Sequence, residues 1–374
     1  MERGRAPTRV MTADCAGYTY YSSAFNPNNG VISRIVDLFD SGSTPEGVDR
    51  KDWDIAWERK YRHRDRACSP VPETVDIQVT NTCKMGCSYC YQNSVPALSH
   101  MPAEKVEHII KGFSLPPYQI AFGGGEPCEH PDFASILRNT RALGVVPNFT
   151  TAGYIAPTDV LDATNDVCGG VAVTYHPHYN VESFAKVLAP WKELPNIYLH
   201  IHLVACKGVS ERLRELATKF PFSNIVLLAY YPVGRGSIHD HMDKKEYMVD
   251  LPAAIKWAQE ARHVSISFSE GLFPYFNSRP GLVSGVGMSL PAEGRFSCYV
   301  DRNGGMSYSS FSPPDEYASN VFEVGAQAAW DDLWDRHLYS PQGIACSLCP
   351  RAHACTSPHQ LHKLLCAQWP HNKE

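Results

Sequence analysis

The sequence predicts an α/β fold built on a parallel sheet, and two observations carry that expectation. Between residues 75 and 231, short apolar or β-branched runs alternate with segments of helical periodicity, the pattern of strands joined by crossover helices. The residues with the most distinctive chemistry, Cys83, Cys87, Cys90 and the turn Gly123-Gly124-Gly125-Glu126-Pro127, directly follow the first two strand-like runs. Loops leaving the C-terminal ends of parallel strands build the active face of such sheets.

Taken in order, residues 17–32 read as a hairpin: Tyr18, Tyr20 and Phe25 precede the turn-forming Asn26-Pro27-Asn28-Asn29-Gly30, and Val31 and Ile32 follow it. Residues 52–66 are charged and carry Trp53 and Trp57 one helical turn apart, which predicts an amphipathic helix. The run 75–80 is the first strand of the sheet. Val106, Ile109, Ile110 and Phe113 then recur at helical spacing behind Pro102, a good first-turn residue. Further strand-like runs lie at 118–122, 145–151, 171–175, 197–205 and 225–231, with helical candidates at 132–143, 158–165, 181–194 and 210–220 between them. In the run 197–205, Ile197, Leu199, Ile201 and Leu203 share one face while Tyr198, His200, His202, Val204 and Cys206 share the other. If the second face looks inward, His200, His202 and Cys206 line the interior. A buried histidine is more often a hydrogen-bonded core residue than a ligand contact, and a buried cysteine more often a small apolar filler.

Composition removes several function classes. The chain has 374 residues, of which 44% are apolar and 20% charged, enough for one large domain and a small one around an ordinary core. A net charge of -5 gives no reason to expect broad nucleic-acid binding, which calls for a basic surface. No apolar run reaches the length of a membrane span, and the N-terminus leads into no signal-like stretch, so a cytoplasmic protein is expected. Thirteen cysteines in clustered spacings, without a secretory signal, favour metal binding over disulfides.

Three cysteines spaced C-x-x-x-C-x-x-C on one short loop can hold three irons of a four-iron cluster and leave the fourth open. The triplet alone also suits a zinc loop. Together with the Gly123–Pro127 turn, it resembles the radical S-adenosylmethionine (radical SAM, AdoMet) superfamily, in which Tyr89 occupies the usual aromatic place before the third cysteine. The resemblance implies a partial (β/α)6 TIM-like barrel and a [4Fe-4S] cluster whose open iron is chelated by S-adenosyl-L-methionine. It further implies reductive cleavage of AdoMet to a 5'-deoxyadenosyl radical that abstracts hydrogen from a substrate. Gly124, Gly125 and Glu126 are then expected to bind the AdoMet ammonium, and Thr174 its ribose. Asn148-Phe149-Thr150-Thr151-Ala152-Gly153 is similar to the third-strand motif, with Ala152 where asparagine is common. Pro232-Val233-Gly234-Arg235-Gly236 is similar to a turn of several members, in which Arg235 either meets a carboxylate or is solvated. Cys206 is a candidate hydrogen-atom donor, with Cys128 as its rival.

At the C-terminus, Cys346, Cys349, Cys355 and Cys366, with Cys298 upstream, resemble the SPASM or twitch extension that holds auxiliary iron-sulfur clusters. Ser309 or Ser310, and His359, stand where the full seven-cysteine pattern has further cysteines, so one auxiliary [4Fe-4S] cluster is expected. Its ligands would be Cys346, Cys349, Cys355 and Cys366, with Cys298 as the alternative ligand; four thiolates at such spacings also suit zinc. The expected organisation is an N-terminal extension over 1–72, a barrel over 73–280 and a small cysteine-rich SPASM/twitch-like domain over 281–374. The resemblance points to an enzyme acting on a peptide by oxidation, crosslinking or epimerisation, with flavodoxin or ferredoxin as reductant. A small molecule such as an amino sugar, nucleoside or amino-acid derivative is the alternative substrate. A non-catalytic iron-sulfur electron carrier or sensor is the alternative class, and it has no need of the Gly124–Pro127 turn.

Overall fold

A computed structural model describes residues 7–15, 18–28, 30–36, 51, 69–96, 99–243, 245–272, 293–312 and 318–339. Strands β1 (Arg9–Cys15), β2 (Tyr18–Asn26) and β3 (Val31–Val36) form an antiparallel sheet in that order. The expected hairpin is β2–β3, closed by the Gly30 N–H donating to the Asn26 carbonyl at 2.9 Å. Strand β1 is an addition that the sequence reading did not contain. The helix expected over 52–66 lies outside the described residues.

The six expected strands are β4 (Thr74–Thr80), β5 (Gln119–Gly124), β6 (Val146–Thr151), β7 (Gly170–Thr174), β8 (Tyr198–Ala205) and β9 (Asn224–Ala229). Each pairs in parallel with the next. The crossovers are α1 (Ala103–Lys111), α2 (Phe133–Ala142), α3 (Thr158–Val167), α4 (Val181–Lys192) and α5 (Val209–Lys219). After α6 (Leu251–Arg262), β10 (Ser265–Phe268) adds in parallel to β9. On the opposite edge β11 (Ser297–Val300) pairs in parallel with β4, and β12 (Met306–Ser307) pairs antiparallel with β11. The result is one sheet of nine strands in the order β10-β9-β8-β7-β6-β5-β4-β11-β12. Residues 297–307, expected in the C-terminal unit, thus extend the barrel sheet.

The helices bury their apolar stripes on the outer face of this sheet. Edge-to-face rings link the layers from Phe122 through Phe133 and Phe149 to Trp191, with centroids 6.0, 5.1 and 5.7 Å apart, a geometry that adds to the area each ring buries. Cys298 belongs to this apolar core, 1% exposed on β11 opposite Val75.

The small sheet covers the N-terminal ends of the barrel strands, away from the motif loops. Arg9 donates to the carbonyls of Pro116, Pro117 and Gly144, just before β5 and β6, at 2.9, 3.0 and 2.8 Å. Glu73, one residue before β4, is fully buried, ion-paired with Arg34 at 2.5 Å and hydrogen-bonded by the Tyr21 hydroxyl. Removing one partner of a buried pair strands the other in low dielectric. Glu73→Ala is therefore expected to lower the unfolding free energy by about 2–3 kcal/mol, read as a lower urea midpoint with an unchanged slope.

Candidate functional site

Beyond Thr80 the chain leaves the sheet, and backbone hydrogen bonds hold the resulting loop in shape. Cys83 N–H donates to Val95 O at 3.0 Å and Cys90 N–H to Cys87 O at 3.3 Å. The turn after β9 supports this loop: Arg235 donates from its backbone N–H to Cys90 O, and from its guanidinium to Cys87 O and Ser94 O, at 2.9, 2.9 and 2.8 Å. Neither sequence expectation for Arg235 holds, because its guanidinium meets backbone carbonyls rather than a carboxylate or solvent alone.

The Gly123–Pro127 turn crosses the start of the same loop. Gly125 N–H donates to Thr80 O at 2.7 Å and Glu126 N–H to Thr82 O at 2.8 Å. A Cβ on Gly124, whose φ is +114°, or on Gly125 would collide with the carbonyls of Thr80 and Thr82 respectively. The side chain of Glu126 is fully buried and accepts from the Thr151 hydroxyl at 2.7 Å, Ala152 N–H at 2.7 Å and Cys128 N–H at 3.1 Å. Burial pushes its carboxyl above the usual range, and the hydrogen bonds only partly offset this. No cation pairs with it among the described residues.

Above these two turns lies a cavity of about 660 Å³. Cys83, Cys87, Cys90, Gly123, Gly124 and Gly125 line one side of it, with Thr150 to Ala152, Thr174, His176 and His202 beside them. Thr174 and His202 are register partners across β7 and β8. Asp76, Tyr231, Phe268, Tyr299 and Phe311 also line it. Tyr299 is tied to the cysteine loop through Gln92, which donates to its hydroxyl at 3.1 Å and accepts from Gln78 at 2.9 Å.

The electrostatics of the cavity oppose thiolate formation by the cysteines alone. Burial and the neighbouring thiols Cys83 and Cys90 push the Cys87 thiol up to about 12, and burial also raises Cys83. Loss of hydration pushes His176 and His202 down to about 3, so both imidazoles are neutral. His176 Nδ1 hydrogen-bonds the Tyr89 hydroxyl at 2.6 Å and lies 3.4 Å from Cys87 Sγ. Its Nε2, like Nδ1 of His202, has no hydrogen-bond partner among the described residues.

Residues 77–217 match the model of the Radical SAM superfamily. These residues form a radical SAM domain. No curated protein sequence matches it. Among solved structures, Streptococcus suis SuiB bound to S-adenosylmethionine aligns over 92% of this chain and 94% of its own, with a TM-score of 0.69 and 13% identity. SuiB bound to its precursor peptide SuiA aligns over the same shares with a TM-score of 0.67 and 12% identity. The enzyme anSMEcpe with bound AdoMet and the Cp18Cys peptide aligns over 76% of this chain and 87% of its own, at a TM-score of 0.54 and 13% identity. These likenesses concern the fold.

A radical SAM domain implies a [4Fe-4S] cluster and AdoMet, and the residues present fit both. Cys83, Cys87 and Cys90 line one shared cavity, which suits a cluster held by three thiolates. Its irons would also supply the positive charge that three mutually repelling thiolates require. Exposed glycine backbone over a buried carboxylate suits a cation such as the AdoMet ammonium.

Other candidate residues fall elsewhere. Cys206, 5% exposed, does not line the cavity; its sulfur accepts from Arg212 at 3.1 Å. Strand alternation fails at Cys206 because β8 ends at Ala205 and the chain turns into α5, with Val209 N–H donating to Cys206 O. Cys128 lies buried beside Thr151, and His200 is likewise absent from the cavity lining. Glu126 itself is turned toward the end of β6 rather than into the cavity. Cys346, Cys349, Cys355, Cys366 and His359 lie outside the described residues. Sequence reasoning missed His176, Asp76 and Tyr299. The alternation Ser297, Tyr299 against Cys298, Val300 was the available signal for the last, since the first pair faces the cavity or its rim and the second the core.

Gly124→Ala adds a Cβ at a positive φ and drives it into Thr80 O. The variant is expected to lose about 2–3 kcal/mol of stability, whereas Gly123→Ala, whose Cβ meets nothing within 4 Å, should stay close to wild type in the same denaturation curve.

Proposed function

We propose that this protein is a radical SAM maturase that cleaves AdoMet reductively and abstracts hydrogen from a peptide, leading to oxidation, a crosslink or epimerisation. The observation that carries the reading is the convergence of Cys83, Cys87, Cys90, the Gly123 to Gly125 backbone and Thr174 on one cavity. A peptide substrate is supported by the likeness to SuiB with its precursor peptide and to anSMEcpe with the Cp18Cys peptide. Flavodoxin or ferredoxin is the proposed source of the electron.

In this reading Cys83, Cys87 and Cys90 hold three irons of the cluster, and Gly124, Gly125, Glu126 and Thr174 hold AdoMet at the fourth. Bound there, the two cofactors supply one-electron cleavage of the sulfonium and a 5'-deoxyadenosyl radical. The chain's own part is binding, orientation and exclusion of water. Glu126 fixes the ends of β5 and β6 against each other through Thr151 and Ala152, and its charge lies behind the glycine backbone that meets the ammonium. The Thr174 hydroxyl offers a donor and acceptor to the ribose. Tyr89 and His176 brace the loop at Cys87. The aromatic rings of Tyr91, Tyr231 and Phe311, with neighbouring centroids 4.5 and 4.2 Å apart, line the same cavity and shield a reactive species there.

One auxiliary [4Fe-4S] cluster on Cys346, Cys349, Cys355 and Cys366 completes the proposal. The burial of Cys298 in the apolar core favours Cys366 over it as the fourth ligand. The domain limits proposed remain 1–72, 73–280 and 281–374, with 297–307 donated to the barrel sheet.

Anaerobic reconstitution followed by dithionite and AdoMet tests the reading. About eight irons per chain, on the basis of two four-iron clusters, and 5'-deoxyadenosine that the Cys83, Cys87, Cys90 to Ala triple variant fails to make are the expected result. Full iron loading without AdoMet cleavage under any reductant would overturn it in favour of an electron carrier. About four irons with product would reassign the C-terminal cysteines to zinc or to no metal. Candidate peptides are expected to stimulate 5'-deoxyadenosine formation; stimulation by amino sugars, nucleosides or amino-acid derivatives alone would move the substrate to a small molecule.

Glu126→Gln keeps the size of the side chain and removes its charge. AdoMet binding to the reconstituted variant, measured by equilibrium dialysis, is expected to weaken ten- to a hundredfold, the size of a lost charged interaction of about 1.5–3 kcal/mol. Thr174→Val should weaken it by about tenfold or less.

A further inference from the structure

The loop over residues 81–96 contains no aspartate or glutamate, yet it is held by an arginine. Arg235 spans the loop with three hydrogen bonds, to the carbonyls of Cys87, Cys90 and Ser94. Its approach depends on Gly234, whose φ is +64° and whose Cβ would collide with the carbonyls of Cys90 and Tyr91. Among the described residues no carboxylate pairs with the guanidinium. A guanidinium keeps its charge at any working pH, and here that charge is delivered to the backbone carbonyls of Cys87 and Ser94, within the cysteine loop.

Backbone carbonyls alone would be satisfied by any donor, so the choice of a permanent cation needs another reason. A cluster on three thiolates becomes more negative by one charge on reduction, and a fixed positive charge nearby favours the reduced form. We propose that Arg235 is a positioning residue that holds the cysteine loop through its carbonyls and, by its fixed charge, raises the reduction potential of the cluster bound there. The proposal rests on the cluster reading given above.

The test compares the full-length wild type with Arg235→Lys, which keeps the charge but not the planar fork, and Arg235→Gln, which keeps a donor but not the charge. Each is reconstituted anaerobically, its iron is counted, and the midpoint potential is taken from the EPR signal that changes when AdoMet is added, which separates this cluster from any auxiliary one. The expected result is wild-type iron in all three, a more negative midpoint for Arg235→Gln, and a midpoint close to wild type for Arg235→Lys. Loss of iron from Arg235→Gln alone, with Arg235→Lys loaded, would also support the role of charge. An unmoved midpoint in a fully loaded Arg235→Gln would overturn the proposal, as would equal loss of iron from both variants, which would assign the role to fork geometry alone. A wild type with iron but no AdoMet-responsive signal would overturn the cluster reading and this one with it. An AdoMet-responsive wild type with an unmoved Arg235→Gln would remove only the role of Arg235.

Discussion

The site depends on two stretches of backbone approaching more closely than side chains allow. Gly125 and Glu126 donate to the carbonyls of Thr80 and Thr82, so the turn after β5 is bonded directly to the stem of the cysteine loop after β4. Those hydrogen bonds require bare Cα atoms at 124 and 125. Because the two loops share backbone bonds, and the Glu129 carboxylate adds a bond from Lys84 N–H, the thiols and the glycine backbone keep a fixed relation. Glu126 extends the arrangement to a third strand by accepting from Thr151 and Ala152 at the end of β6. Three consecutive strand ends therefore move as one unit, and rigid strand ends are what a site needs to hold a reactive cofactor in one orientation.

Another part of the cavity lining is built differently, from chain that arrives late in the sequence. Strand β11 lies beside β4, which brings Tyr299 over the cysteine loop and ties it there through Gln92 and Gln78. Arg302, just beyond β11, donates from its backbone to Gln78 and from its side chain to Ser99. The cysteine loop is thus gripped on one side by the Arg235 turn and on the other by the β11 segment. Each grip uses a hydrogen bond to backbone or amide groups, which fixes position without competing for the thiols.

The barrel strands β4 to β9 were legible because each is a short apolar run bounded by turn residues, and the helices between them repeat at 3.6-residue spacing. The cysteine triplet and the glycine turn were legible for a different reason: their spacing serves backbone geometry and metal ligation, which leave a mark on sequence. Strands β10 to β12, of four, four and two residues, are too short for alternation to stand out. Arg235 was misread because its partners are backbone carbonyls, and no complementary residue type announces them. Cys206 was placed inward by extending alternation one residue past the end of β8. The direction of the Glu126 side chain is set by Thr151 and Ala152, contributed by a strand that comes later in the chain, so the motif alone could not give it.

Charge is distributed around the cavity in layers. A carboxylate lies behind the glycine turn, three thiols face inward, and a guanidinium lies behind the cysteine loop, yet the described residues pair neither Glu126 with a cation nor Arg235 with an anion. Leaving a buried charge such as that of Glu126 without a cation is costly, and a fold selected for stability alone would have paired it or replaced it with an apolar side chain. Their placement in different turns, Glu126 after β5 and Arg235 after β9, is better understood as a division of labour. The carboxylate side favours a cationic group, and the guanidinium side favours added negative charge on the thiolate side. A dipolar cofactor carrying an ammonium, set beside a cluster that gains an electron, satisfies both demands at once.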